Sequence, residues 1–215
     1  VRLTGLGDLD GMSGTEASIQ AFTNMDIVLG SAQIDILTGA DAIATWRLGV
    51  GSWTYESGGQ TLGFEGMEIL SGGSGADTFI LSGAQSFTLN GGAGSDVFRL
   101  ENGATLAGVV DGGTGTDSLD ISGFSVTRNI SLDGFGQTDG FNLILTDVSG
   151  GLKNMDDAIG TDGLRAVQGD EVVPRRLDPL QMVHPVRHGG PLGALIVQVV
   201  VPRRPGASVT RHQRL

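Results

Sequence analysis

The chain has 215 residues and a formal net charge of −11, from 24 acidic and 13 basic residues. Nucleic-acid binding requires clustered Lys and Arg, so this balance argues against nucleic-acid partners and favours cations. The absence of cysteine excludes disulfides and thiolate metal sites. With 37 glycines, more than twice the usual share, the chain must often need backbone conformations that glycine alone adopts without strain.

Composition divides the chain after Gly163. Residues 1–163 hold 21 acidic and 5 basic residues and every aromatic, whereas residues 164–215 hold eight arginines, all six prolines and all three histidines. We predict little structure in this basic, Pro/Arg-rich tail, as a disordered extension or as sequence read out of frame, with a basic interaction tail as the alternative. Its apolar run at 192–201 is about half the length that crosses a bilayer, so no membrane span is predicted.

A long repeat opens the body, after a degenerate N-terminal edge expected over residues 1–14. Residues 21–37 (AFTNMDIVLGSAQIDIL) align without gaps with residues 63–79 (GFEGMEILSGGSGADTF), 42 positions downstream. The upstream copy keeps Gly30 and Asp35 of the glycine loop described below, but serine and glutamine replace two of its glycines. We therefore expect a loop there that binds cations poorly.

Three aromatic residues follow in ATWRLGVGSWTYESG, a pattern that predicts a strand, a glycine turn and a second strand. They are Trp46, Trp53 and Tyr55. A packing cluster is the favoured interpretation, and a stacking platform for a carbohydrate is the alternative, which requires Trp46 and Trp53 to be exposed together.

The most specific pattern is a glycine loop that occurs three times: LSGGSGADTFIL from Leu70, LNGGAGSDVFRL from Leu89 and VDGGTGTDSLDI from Val110. Each copy runs from Gly-Gly-x-Gly-x-Asp into alternating apolar positions, which predicts a turn followed by a short strand with one buried face. The expected buried residues are Phe79, Leu81, Phe98, Leu100, Leu119 and Ile121.

The loop residues suit one kind of metal. Glycines let a tight loop direct its carbonyl groups at one point, and a neighbouring carboxylate adds charged oxygens. Calcium takes about six to eight oxygen ligands at flexible geometry, whereas zinc and copper prefer nitrogen or sulfur and magnesium retains its waters. The predicted calcium ligands are Gly72, Gly73, Gly75, Asp77, Gly91, Gly92, Gly94, Asp96, Gly112, Gly113, Gly115 and Asp117.

These loops resemble the RTX, or haemolysin-type, calcium-binding repeat, whose nonapeptide is matched in full at 72–80, 91–99 and 112–120. The resemblance implies a parallel β-roll in which six residues form the calcium-binding turn and three form a strand. Here the loops begin 19 and 21 residues apart instead of nine, so one edge is expected to hold calcium, at two sites between successive loops.

A third copy of the longer repeat begins at Leu152 with LKNMDDAIGTDG and is expected to open a loop at Gly160, where Arg165 falls on the aspartate position. The lead into this repeat is similar to repeats in very large bacterial exported proteins, including haemagglutinin-like and adhesin-like ones. From these features we expect an all-β parallel β-roll or β-solenoid over residues 15–163, with no helix of consequence.

The predicted function is a non-catalytic, calcium-binding structural segment of a secreted or cell-surface bacterial protein, which folds when calcium binds and contacts a cell-surface or glycan partner through its parent protein. Without a signal peptide at Val1, the chain is interpreted as a piece of that protein. The body lacks histidine and cysteine, which excludes the usual nucleophile and base pairs there. Two alternatives remain: a metal-free β-helix stalk of an adhesin, and the calcium roll of a secreted hydrolase whose catalytic domain lies elsewhere.

Overall fold

The computed structural model describes residues 1–18 and 20–160, together with two short strands at 165–166 and 196–197. The described part is all-β, with strands, turns and no helix, and none of it offers a helix able to cross a membrane. The sequence-based expectation of an all-β chain is therefore confirmed. The predicted tail at 164–215 lies outside the described residues, apart from the two short strands.

The strands follow one another with short connections, as the alternating apolar pattern and frequent glycines predict. In chain order they are β1 (Arg2–Leu6), β2 (Met12–Thr15), β3 (Phe22–Met25), β4 (Ile27–Leu29), β5 (Ile36–Thr38), β6 (Ala44–Gly49), β7 (Ser52–Ser57), β8 (Gln60–Glu65), β9 (Ile69–Gly73), β10 (Asp77–Leu81), β11 (Ala84–Gln85), β12 (Thr88–Gly94), β13 (Val97–Leu100), β14 (Thr105–Leu106), β15 (Val110–Gly115), β16 (Ser118–Asp120), β17 (Ile130–Phe135), β18 (Phe141–Leu145), β19 (Leu152–Met155), β20 (Asp157–Ile159), β21 (Arg165–Ala166) and β22 (Ile196–Val197).

Two mostly parallel sheets make up the body. The first, of eleven strands, has the order β22-β17-β18-β19-β15-β12-β9-β5-β1-β2-β3, and the second, of nine, has the order β21-β20-β16-β13-β10-β6-β7-β8-β4. Between β9 and β16 the chain passes from one sheet to the other and back, so that β9, β12 and β15 become neighbours in the first sheet and β10, β13 and β16 in the second. A small third sheet, β11-β14, lies along the return connections.

Buried side chains fall in register along each sheet. In the first sheet Leu37, Leu70, Leu89, Val110 and Leu152 occupy one line, and all are at most 1 % exposed. The six residues predicted to face inward after the aspartates, five in strands of the second sheet and Ile121 directly after β16, are all buried. Side chains of both sheets belong to one core cluster, so the sheets cover each other's apolar faces.

Antiparallel hairpins interrupt the parallel order. The predicted strand, turn and strand around Trp46 are β6 and β7, which pair antiparallel, and β8 continues the same sheet. Residues 1–14 contribute β1 and most of β2, which extend the first sheet beyond β5. The hairpin β17–β18 extends the same sheet at the other end, where β18 pairs with β19.

Candidate metal centre

The three predicted glycine loops lie side by side at one edge, where the chain crosses from the first sheet to the second. Pairing of β9 with β12 and of β12 with β15 places Gly73, Gly92 and Gly113 in register. Gly92 has φ +102°, and a Cβ there would collide with the carbonyl oxygen of Gly73. Gly113, at φ +97°, meets the Gly92 carbonyl in the same way. Glycine is thus required here both by backbone angle and by the close approach of successive loops.

Four aspartates form a line beside these loops, which we call the aspartate row: Asp77, Asp96, Asp117 and Asp156. The parallel registers of β10, β13, β16 and β20 place them at equivalent positions. Each backbone N–H donates to the next carboxylate, from Asp77 to Asp96 Oδ1 at 2.8 Å, from Asp96 to Asp117 Oδ1 at 2.9 Å, and from Asp117 to Asp156 Oδ2 at 2.8 Å. The row is therefore one continuous hydrogen-bonded ladder.

The first three carboxylates of the row retain oxygens without a donor. Asp77, Asp96 and Asp117 are at most 1 % exposed, and the Oδ2 atom of each has no hydrogen-bond partner with good geometry. The indole of Trp46 and the backbone of Ala44 lie near the Asp77 carboxyl group and partly offset the rise in its pKa. An anionic oxygen buried in this state costs several kcal/mol, by order of magnitude, unless a proton or a cation neutralises it. Each of these oxygens therefore needs a proton or a cation to neutralise it.

Carbonyl oxygens converge on the same places. The space beside the Gly72 Cα atom is bounded by Asp77 Oδ2 and by the carbonyl oxygen of Gly91 in the next loop. Asp96 Oδ2 and the Gly112 carbonyl bound the equivalent space beside Gly91. At each of these two glycines, therefore, one carboxylate oxygen of the row lies close to one carbonyl oxygen of the next loop.

Burial changes the acidity of the row. It raises the pKa of Asp77 to about 7, with the Asp96 charge adding to the rise. Burial also raises the pKa of Asp96 to about 6. For Asp117 burial is again the main cause, and the charges of Asp96, Asp156 and Asp139 contribute to a pKa of about 7. At neutral pH these groups are poised between the acid and the anion, so a cation competes with protons for them.

The donor set fits calcium. All the converging atoms are carboxylate or backbone carbonyl oxygens, which are hard ligands, and neither thiol nor imidazole is present in residues 1–163. Oxygens from separate loops also allow the variable geometry that calcium tolerates and that magnesium does not. The loop residues could hold calcium between them, and its charge would neutralise the orphaned carboxylate oxygens.

The last rung of the row is built differently. Asn154 is level with Gly112, and Asp157 pairs with Ser118. The three residues 154–156 therefore span the distance that the six residues 112–117 span in the preceding loop. The rung is three residues shorter, and the tip of the β17–β18 hairpin lies over it. There Asp139 Oδ2 accepts the Gly115 N–H at 3.1 Å.

The predicted loop at 30–35 lies on the opposite connection, from the second sheet to the first. Gly30 approaches the Gly66 carbonyl, and Asp35 accepts hydrogen bonds from the Ser31 hydroxyl and the Ser31 N–H. These bonds lower the pKa of Asp35. The Oδ2 atom of Asp35 thus has protein donors, whereas that of Asp77, Asp96 and Asp117 has none with good geometry.

Several site features were not recognised from the sequence. Residues 39–44 (GADAIA) form a further rung, in which Ala44 pairs with Asp77 and occupies the aspartate position. Asp156 belongs to the row itself, whereas the sequence was interpreted as placing the next loop at Gly160. The sequence did contain one indication of this rung: Leu152 precedes Asn154 by two residues, just as Val110 precedes Gly112 in the third glycine loop. Asp139 has no such signal, since its position depends on hairpin docking.

The aromatic residues after β5 form a packing cluster. Trp46 and Tyr55 are 0 % exposed, with ring centroids 4.6 Å apart, and the Tyr55 hydroxyl accepts the Ala40 N–H at 3.0 Å. A carbohydrate platform requires exposed ring faces, and burial removes that of Trp46, so this alternative is wrong. The cluster fills the core at the start of the aspartate row.

Comparisons of the chain with protein-family models, curated proteins and solved structures found no match.

Proposed function

We propose that the chain is a calcium-binding β-solenoid of the RTX β-roll type, a non-catalytic structural segment of a secreted or cell-surface bacterial protein that folds when calcium binds. The alternation of consecutive strands between two facing parallel sheets supports the solenoid. In that arrangement each circuit of the chain adds one strand to each sheet and buries its apolar residues against the neighbouring circuits.

One observation carries the calcium assignment: buried carboxylates in register, each with an oxygen that lacks a donor and lies close to a carbonyl oxygen of the next loop. Without a cation these oxygens repel each other, and together with the net charge of −11 they oppose compaction. A divalent cation between two loops removes the repulsion and ties the loops together, which couples binding to folding.

The environment of the row argues against catalysis. Acid–base chemistry on two carboxyls needs environments that push their pKa values apart, whereas burial raises those of Asp77, Asp96 and Asp117 to similar values, about 7, 6 and 7. Their side chains also lie beneath the loops, out of reach of a substrate. Uniform and enclosed carboxylates suit a repeated structural ion.

Location follows from the metal and the composition. A segment whose folding needs calcium stays loose where calcium is scarce and becomes rigid outside the cell, where calcium is plentiful. The chain also holds together without disulfides. We therefore propose a secreted or surface address, with a cell-surface or glycan partner contacted through the parent protein.

The test is a calcium titration of the full chain from a chelated start, followed by far-UV circular dichroism and by the tryptophan fluorescence of buried Trp46 and half-buried Trp53. We expect β-signal and a fluorescence change to develop together with calcium, and not with magnesium at equal concentration. The test variant is Asp77→Asn with Asp96→Asn and Asp117→Asn. Each substitution replaces a carboxylate by an amide, whose N–H groups can donate to the neighbouring carbonyl oxygen. The variant should fold in chelator and lose the calcium response.

The matched control carries the same change in charge on exposed residues: Asp8→Asn, Glu101→Gln and Asp133→Asn. It should respond to calcium as the natural sequence does. If the natural chain is fully folded in chelator and indifferent to calcium, the proposal is wrong.

A metal-free adhesin stalk is the second candidate, favoured by one observation. Carboxyls with a pKa of about 6 to 7 can remain buried as neutral acids, because a proton satisfies the oxygen that lacks a donor. In a stalk the same titration produces no change at any calcium concentration, which separates the two functions.

A further inference from the structure

A second type of acidic group lies at the end of the aspartate row. Carboxylate oxygens of Asp117, Asp139 and Asp156 all lie within 4.8 Å of one another, and no other group of three potential metal ligands occurs among residues 1–18 and 20–160. Its members come from three separate elements: the third glycine loop, the β17–β18 hairpin and the shortened rung before β20.

Two carboxylate oxygens of this group are buried without a hydrogen-bond partner. Asp117 is 0 % exposed and its Oδ2 has no hydrogen-bond partner. Asp139 Oδ1 is also buried without a partner, although its Oδ2 accepts the Gly115 N–H. The backbone carbonyl of Asn154 borders the same space as Asp117 Oδ2, beside Gly112. The described structure supplies these three carboxyl groups with three N–H donors, those of Asp96, Gly115 and Asp117, which leaves Asp117 Oδ2 and Asp139 Oδ1 without one.

The hairpin tip is held over this point by a clamp. Asn154, at φ +52°, accepts the Thr138 N–H on Oδ1 at 3.0 Å and donates from Nδ2 to Asp111 Oδ1 at 2.6 Å. The tip is closed by the Gly136 N–H donating to the Gly140 carbonyl at 3.0 Å. Asp139 is therefore placed by fixed contacts beside the shortened rung.

A second copy of this clamp occurs near the N-terminus and provides an internal comparison. There the Gly7 N–H donates to the Gly11 carbonyl at 3.0 Å, and Asn24, at φ +58°, accepts the Leu9 N–H at 3.1 Å. Asp10 corresponds to Asp139, but it is exposed and belongs to no group of three. The clamp alone therefore does not create the acidic group, which requires the row beside it.

We propose that Asp117, Asp139 and Asp156 form a third divalent-cation site, closed by the β17–β18 hairpin, that binds calcium more tightly than the two inter-loop sites. The affinity order follows from charge, because this site offers three carboxylates where each inter-loop gap offers one carboxylate close to a carbonyl group. The proposal extends the proposed calcium-binding function and rests on calcium as the relevant ion. Occupancy of the site fixes the hairpin onto the end of the row.

The test is isothermal titration of calcium into the full chain, with Asp139→Asn as the test variant and Asp10→Asn as the control in the equivalent clamp. Asp139→Asn should weaken the tightest binding step at least about tenfold, while Asp10→Asn leaves every step unchanged. Asp96→Asn should weaken the later steps and keep the tightest. Circular dichroism in calcium checks that each variant folds.

Amide NMR of the natural chain gives a readout that needs no variant. The Gly115 and Thr138 N–H resonances should shift during the first calcium equivalent, before those of Gly92 and Gly73. If they do not shift, or if Asp139→Asn keeps the tightest step, this third site is wrong while the inter-loop sites stand. If only the Asp139-dependent step occurs and Asp96→Asn is without effect, the inter-loop sites fail and the third site stands.

Discussion

Buried carboxylates that lack donors make the aspartate row sensitive to pH when calcium is absent. Burial raises the pKa values of Asp77, Asp96 and Asp117 to about 7, 6 and 7, from 3.8 for the free groups. The folded chain then holds protons that the unfolded chain releases above pH 4. The stability gained from these protons is present at low pH and is lost as the pH rises through 6 and 7.

We therefore expect the calcium-free chain to be loose at neutral pH and, in chelator, to gain stability as the pH falls from 7 towards 4, so that its melting temperature is highest at the acid end. Thermal melts followed by circular dichroism measure this directly. The triple aspartate-to-asparagine variant has no such protons and should give a flat profile over the same range. A melting temperature that rises with pH in the natural chain contradicts the assignment of buried, donor-deficient carboxyls.

Close stacking of the loops is tested at two glycines that share a left-handed backbone. Gly51, at φ +83°, has open space around its Cα atom, so Gly51→Ala should cost only the backbone strain, about 1–2 kcal/mol. Gly92, at φ +102°, faces the Gly73 carbonyl, so Gly92→Ala adds a steric collision and should cost more than about 3 kcal/mol. Chemical denaturation in saturating calcium compares them, and equal costs would mean that the loops are not in contact.

Among the elements, the second sheet is held by a stack of large rings. Trp46 and Phe79 lie 5.4 Å apart, and Phe79 and Phe98 lie 5.0 Å apart, with ring planes inclined by 10° and 7°. The parallel register of β6, β10 and β13 produces this stack by placing the three residues level. The next two residues in the same register are Leu119 and Ala158, so the buried side chains become smaller along this sheet.

Removing the last ring should open a cavity that its neighbours cannot fill. Phe98 is 0 % exposed, and Phe98→Ala is expected to cost about 3–5 kcal/mol of folding free energy. Phe135→Ala is the control, because that ring is 73 % exposed, and it should change stability by less than about 0.5 kcal/mol. Urea denaturation in calcium measures both, and a cost below about 1 kcal/mol for Phe98→Ala contradicts the buried stack.

What the sequence predicts well is local and repeated. The alternation of apolar and polar residues after each aspartate identified Phe79, Phe98 and the other buried positions, because every second side chain of a strand points to the same face of the sheet. The glycine spacing located the three loops for a similar reason. Asp139 and Asp156 were missed because their positions depend on contacts over 24 and 39 residues, which no short pattern encodes.

At the scale of the whole molecule, calcium and protons should bind in competition. The body carries 21 acidic residues against 5 basic ones, and the carboxyls nearest the proposed ions have raised pKa values. Calcium binding to the folded, protonated form of the chain must therefore displace protons, and the affinity of that form for calcium should increase as the pH rises through 6 and 7. This is opposite in sign to the stability of the calcium-free chain over the same range.

Isothermal titration at pH 6.5 in two buffers of different ionisation enthalpy measures the protons released. We expect a net release of between one and three protons per chain, from the carboxyls of Asp77, Asp96 and Asp117, whose pKa values are about 7, 6 and 7. The exposed-charge control variant should release the same number, and the triple asparagine variant close to none. Calcium binding without proton release would place the ions on exposed carboxylates, away from the aspartate row.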